Sequence, residues 1–184
     1  MLIFDLYSIT METSTLRCLY WNIHGISSRI LGEKNEDPEF LKIISSSDII
    51  CISELHASKT ISIPGFYLKK QKFRAKKHRG PKIGGGIAVY INQNLANNFR
   101  LIQNENDDSI WIRSLGTDET ILGFYYCSPD YGNSDFFEVV NSEIEKFNNG
   151  KKLSYLEISM QEPKQNVKTL FMISMTMTLA STQD

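Results

Sequence analysis

Asp48-Ile49-Ile50-Cys51-Ile52-Ser53-Glu54-Leu55 is the stretch on which the reading of the fold turns. Ile49, Ile50, Cys51 and Ile52 follow one another without a polar interruption and are mostly β-branched, the pattern of a short strand buried on both faces. The run then ends on a carboxylate, Glu54. A buried strand that delivers a charge to its C-terminal end places it where a parallel sheet opens into a cleft. The competing reading is a glutamate that only solvates the strand terminus.

An upstream segment has the same design. Residues 16–22 (LRCLYWN) are rich in apolar and aromatic side chains and stop at Asn22-Ile23-His24-Gly25, where Asn and Gly suit a turn that brings backbone close to a ligand. Asp37-Pro38 reads as an N-cap with proline at the first helical position, and Phe40, Leu41, Ile43 and Ile44 supply the apolar face of the helix that follows. Strand, short helix, strand is a crossover, which predicts Asn22 and Glu54 at the same edge of one sheet.

Downstream, Ile63-Pro64-Gly65-Phe66-Tyr67 reads as a turn into a short edge strand, and a basic loop follows. Gly84-Gly85-Gly86 precedes a strand over 87–91. No Gly-Lys-Ser/Thr follows it and no helix comes next, so close backbone packing or a bulge is expected there instead of a phosphate loop. Residues 99–102, 109–115 and 120–127 suggest three more strands in a meander-like pattern. Ser134 or Asp135 then caps a helix with Phe136, Val140, Ile144 and Phe147 on one face. Residues 1–15 read as a loosely held leader and 16–147 as a mixed α/β domain. Residues 148–184, where Met160, Met172, Met175 and Met177 alternate with Ser and Thr, show no clean period and read as an aberrant tail.

At 184 residues and 41% hydrophobic content, the chain fits one domain with its own core. The net charge of −1 hides a polar distribution: Lys69, Lys70, Lys72, Arg74, Lys76, Lys77, Arg79 and Lys82 give residues 69–82 a local +8, which leaves −9 elsewhere. Within that run Lys72, Arg74, Lys76, Lys77 and Arg79 are the candidate nucleic-acid-binding residues, against the alternatives of a solvated loop or an import signal. Cys18, Cys51 and Cys127 are odd in number, far apart and set in apolar runs, so buried free thiols are expected, with no disulfide frame or zinc site. The first ten residues carry Asp5 and no basic region, and no apolar run approaches the ~20 residues of a membrane span. A soluble intracellular protein, nuclear or cytoplasmic, is the expectation.

Trp21-Asn22-Ile23-His24-Gly25, Asp48 to Glu54, Gly85-Gly86-Ile87-Ala88-Val89, and Tyr126-Cys127-Ser128-Pro129 ahead of Asp135-Phe136-Phe137 occur in that order. Together they resemble the endonuclease/exonuclease/phosphatase superfamily, most of all the endonuclease domain of LINE-type (non-LTR) retrotransposons, over residues 16–147. The resemblance implies a four-layer α/β sandwich of the DNase I-like type, built of two packed mixed sheets and here incomplete in its second half. It also implies a Mg²⁺-dependent DNA endonuclease, a phosphodiester hydrolase, with Mn²⁺ as an alternative ion, DNA as partner and a reverse transcriptase domain in the parent element. By position, the family's metal-binding glutamate falls on Glu54, its active-site asparagine, a second candidate metal residue, on Asn22 and its phosphate-positioning tyrosine on Tyr126. The residue types suit that chemistry. A hard cation prefers carboxylate oxygen and keeps most of its waters, and Asn and Tyr orient phosphate oxygens without adding charge.

The chain departs from the family in its second half, where neither Gly-Asp-x-Asn nor a C-terminal Ser-Asp-His is present. Its histidines, His24, His56 and His78, all precede the middle of the chain; His24 and His56 adjoin motif residues and read as loop histidines, with a place lining the cleft as the alternative. Leu156-Glu157-Ile158-Ser159-Met160-Gln161-Glu162 can be encoded so that a one-base regrouping spells Gly-Asp-Phe-Asn-Ala-Arg. The tail therefore reads as frameshifted and the chain as a truncated endonuclease domain of weak or no activity. The alternatives are a non-catalytic nucleic-acid-binding remnant and an unstable pseudogene product.

Overall fold

Every residue of the 49–53 run is buried, as the apolar character of Ile49 to Ile52 leads one to expect, and Ser53 is buried with them. The computed structural model describes residues 4–11, 14–28, 32–73, 85–115, 119–126, 133–148, 153–160 and 170–177. The first sheet is built from β1 (Phe4–Met11), β2 (Ser14–Asn22), β5 (Ile49–Ser53), β6 (Phe66–Lys72) and β7 (Ile87–Asn92), in the order β1-β2-β5-β7-β6. Two short strands, β3 (Ser27–Ser28) and β4 (Gly32–Glu33), pair with each other between β2 and α1 (Pro38–Ile44). The second sheet holds β8 (Phe99–Ile102), β9 (Ser109–Ser114), β10 (Glu119–Tyr126), β11 (Leu153–Met160) and β12 (Leu170–Met177), in the order β11-β12-β10-β9-β8. Helix α2 (Asn133–Asn148) follows β10. The architecture is thus mixed α/β, with two five-stranded sheets, one two-stranded sheet and two α-helices among the described residues.

The crossover forms as expected. Asp37 caps α1, its side chain accepting from the Glu39 backbone N–H, with Pro38 at the start of the helix. The helix then returns the chain so that β5 lies parallel to β2, Asn22 opposite Ser53. Among the described residues all other pairings are antiparallel.

Alternation along the strands sorts the core into three clusters. Cys18, Tyr20, Ile49, Cys51, Val89, Ile112, Leu122, Phe124 and Tyr126 fill the space between the two sheets. Leu19, Trp21, Ile50, Ile52 and Tyr90 face the other way and bury Phe40 and Ile44 of α1. Trp111, Ile121 and Tyr125 cover the outer side of the second sheet together with Phe136, Val140, Ile144 and Phe147, the helix face read from the sequence. Helix α2 begins at Asn133, so both expected caps, Ser134 and Asp135, fall inside its first turn.

Two regions hold strands that the sequence reading did not place. Residues 4–11, read as a leader, form a full antiparallel hairpin with β2 and occupy the edge of the first sheet. Within 148–184, two strands pair with each other, and β12 continues the second sheet beyond β10, Tyr126 opposite Leu170. Leu170-Phe171-Met172-Ile173 and the methionines that follow supply an apolar strand without a helical or strictly alternating period. An exposed β10 edge offers such a segment backbone partners whatever its pattern.

The first part of the basic run lies on a strand where a loop is expected, because β6 extends to Lys72 at the sheet edge. Lys69 donates to the Ala96 and Phe99 carbonyls. Cys18 and Cys51 are buried free thiols, as expected, while Cys127 lies outside the described residues. Among the described residues no helix is long and apolar enough to cross a membrane.

Candidate active site

Glu54 follows the last residue of β5, and strict alternation would send its side chain to the α1 side with Ile50 and Ile52. It does not go there. Glu54 has φ 54, a left-handed backbone uncommon for a residue with a side chain. The turn re-aims the carboxylate toward the space between the sheets, while Leu55 joins the helix-side cluster instead. There Tyr126, the last residue of β10, donates its hydroxyl to Glu54 Oε1 at 2.8 Å. Both residues are 1% exposed. The hydrogen bond ties the first sheet to the second at one end of the molecule, between residues far apart in the chain.

Asn22 reaches the same end on the neighbouring strand. The pairing of β2 with β5 continues past both strand ends: Ile23 N–H donates to Ser53 O at 3.1 Å, Gly25 N–H to Glu54 O at 2.7 Å and Ile26 N–H to Leu55 O at 2.9 Å. Asn22 Oδ1 accepts from the His24 backbone N–H at 3.2 Å, closing a tight turn in which His24 has φ 49 and Gly25 φ 99. That turn presents the His24 ring to Glu54, Nδ1 lying 2.6 Å from Oε2. All three residues expected at the site from the sequence, Asn22, Glu54 and Tyr126, are therefore gathered, and His24, expected to be a loop histidine, stands directly on the carboxylate.

His56 keeps the loop role. It too has a left-handed backbone (φ 48), and its Nδ1 accepts from the Gly85 N–H at 3.1 Å while its own N–H donates to Gly85 O at 2.9 Å. Gly85 and Gly86 have φ 61 and 98, and a Cβ on Gly86 would stand 3.2 Å from the Lys72 carbonyl. The glycines thus serve close backbone packing behind Glu54, as the absence of a following helix suggested.

Two lysines act as braces. Lys34 donates to the Ile23 carbonyl, between Asn22 and His24, and burial lowers its pKa. Nothing in the spacing of the sequence marks it. Lys72, a candidate nucleic-acid-binding residue, directs its ammonium into the second sheet's loop, donating to Asn104 O, Asn104 Oδ1 and Asn106 O. The same loop carries Asp108, whose carbonyl accepts from the Tyr126 N–H at 2.8 Å. Lys72 therefore steadies the strand end that bears the tyrosine. Arg74, Lys76, Lys77 and Arg79 lie outside the described residues.

Beneath the site the medium is apolar. Burial pushes the Tyr20 phenol and the Cys51 thiol well above their ordinary pKa values, so both stay neutral. Charges placed above such a floor interact more strongly than they would in water. Among the described residues no group of three or more His, Cys, Asp and Glu could hold a metal ion. The donors in contact are one buried carboxylate and one imidazole, with the Asn22 amide oxygen turned to the His24 N–H, a set that suits a divalent cation retaining several of its waters better than one needing a closed protein cage. No family model, no curated protein and no solved structure matches the chain.

Proposed function

We propose that this chain carries the metal- and phosphate-binding half of a phosphodiesterase site of the endonuclease/exonuclease/phosphatase kind, on a sandwich of the DNase I-like type, with DNA as the substrate class. The observation that carries the reading is the 2.8 Å hydrogen bond between Tyr126 and Glu54 at the meeting of two sheets, with Asn22 on the adjacent strand end. Glu54 is the residue that would hold a divalent cation such as Mg²⁺. A cation bound there would offset charge developing on the phosphate oxygens. Tyr126 spends its single O–H on Oε1 and so fixes the carboxylate, while Asn22 offers an uncharged amide N–H to a non-bridging phosphate oxygen. The chain has no Gly-Asp-x-Asn or Ser-Asp-His to activate the nucleophile. Binding is thus expected to outlast catalysis, since losing a positioned base costs about 10²- to 10⁴-fold in rate.

The test is plasmid nicking with Mg²⁺ beside calorimetric Mg²⁺ binding, for the wild type and Glu54→Ala. Metal binding that Glu54→Ala removes, with no nicking above that variant, is the expected pair of results. Metal binding indifferent to Glu54→Ala sinks the assignment of the site. Robust nicking abolished by Glu54→Ala sinks the claim that the chain binds without turning over.

A further inference from the structure

We infer that His24 Nδ1 and Glu54 Oε2 form a single two-donor site for a first-row divalent transition-metal ion, so that an imidazole as well as a carboxylate selects the cation. This rests on Glu54 being the metal-holding residue and adds the class of ion to it. The two side chains have very different access to solvent: that of Glu54 is 2% exposed and that of His24 67%. The ring also covers Oε2 at 2.6 Å. An ion arriving from water must therefore either displace the imidazole or use it.

The backbone favours use. His24 is pinned on both sides, its N–H donating to Asn22 Oδ1 and the next residue's N–H to Glu54 O. Both His24 and Glu54 adopt left-handed backbones, a cost that persists where surrounding contacts impose it and that gathers at functional sites. The other carboxylate oxygen is already occupied by Tyr126, which leaves Oε2 facing the ring and fixes its orientation. Neighbouring donors on a six-coordinate ion with bonds of ~2.1 Å stand about 3 Å apart. The present separation needs to widen by only a few tenths of an ångström. Coordination would replace the N–H···O contact, with the ring proton on Nε2.

The chemistry of the pair then sets the ion. Mg²⁺ favours oxygen donors and gains little from imidazole, whereas Mn²⁺, Co²⁺ and Zn²⁺ accept a mixed nitrogen and oxygen set with rising affinity along the row. A site of two carboxylates would not discriminate in this way.

The experiment is a Mn²⁺ titration followed by electron paramagnetic resonance, with Mg²⁺ competition and spin-echo detection of ligand nitrogen. It compares the wild type, His24→Asn and Glu54→Gln, each checked for a cooperative melt. Asn tolerates the left-handed backbone, so His24→Asn removes the ring while keeping the turn. The wild type is expected to bind Mn²⁺ at least about tenfold more tightly than Mg²⁺ and to show nitrogen modulation. His24→Asn should lose the modulation and about tenfold in Mn²⁺ affinity with Mg²⁺ affinity unchanged, and Glu54→Gln should lose both ions. Bound Mn²⁺ without nitrogen modulation, or His24→Asn tightening both ions alike, overturns the inference and shows the ring to be a cover, with Glu54 still the metal residue. Unchanged binding of both ions in Glu54→Gln overturns the inference together with the reading beneath it.

Discussion

Removing the Tyr126 hydroxyl tests whether the two sheets are joined through the site. Tyr126→Phe keeps the ring in the core between the sheets and deletes only the donor that reaches Glu54 Oε1 at 2.8 Å. A hydrogen bond to a charged group contributes roughly 1.5–3 kcal/mol, and its loss here leaves a buried carboxylate oxygen without that donor. For a domain of this size the corresponding fall in Tm is roughly 3–12 °C. In a Glu54→Gln background the acceptor is neutral, and the same substitution should cost only about 0.5–1.5 kcal/mol. Urea denaturation followed by circular dichroism on the four proteins gives the cycle directly. Equal costs of Tyr126→Phe in both backgrounds, or a loss below about 0.5 kcal/mol in the wild type, would refute a charged contact between Tyr126 and Glu54.

Two further predictions concern the scaffold. A Cβ on Gly123 would stand 2.6–2.8 Å from the Trp111 ring, which is held by Nε1 donation to Glu143 at 3.0 Å and by edge contacts to Tyr125 and Phe147. Gly123→Ala should therefore cost roughly 3–5 kcal/mol from overpacking plus the disturbed bond to a carboxylate, and a shift in denaturation midpoint worth under about 1 kcal/mol would contradict it. The second is alkaline sensitivity. Burial raises the folded-state pKa of the Cys51 thiol above its ordinary 9.0 and that of the Tyr20 phenol above its ordinary 10.0. Above those ordinary values the unfolded chain releases protons that the folded chain keeps, so stability falls as pH rises, by about 1.4 kcal/mol per pH unit for each group. Denaturation between pH 8 and 11 should show Cys51→Ala delaying the onset of this loss; an identical onset in both proteins would exclude Cys51 as its source.

Most of the first sheet is legible from local pattern. The unbroken Ile49–Ser53 strand, the Asp37-Pro38 helix start and the apolar end at Asn22 are enough to require a parallel crossover, because a short helix between buried strands has one way to return. The face of α2 is equally legible, since helical spacing records which side is buried. The edge strands are not. Residues 4–11 and 170–177 carry no decisive period, and their pairing depends on whether a neighbouring strand leaves its backbone groups open. Lys72 illustrates the same limit: composition reads it as one of a run of cations, and only the position of the Asn104–Asn106 loop makes it a brace.

By itself the sequence marked Asn22 and Glu54 as polar residues closing apolar strands, and the resemblance set Tyr126 beside them as a candidate; the pattern of strand ends is written in local order. Tertiary structure alone decided that Glu54 faces inward and that His24 lies on it. Both outcomes hang on left-handed backbone turns at residues with side chains, a conformation that local propensity disfavours. Here it accompanies the continued β2–β5 ladder and the tyrosine delivered from the second sheet, contacts that exist only once the chain has folded.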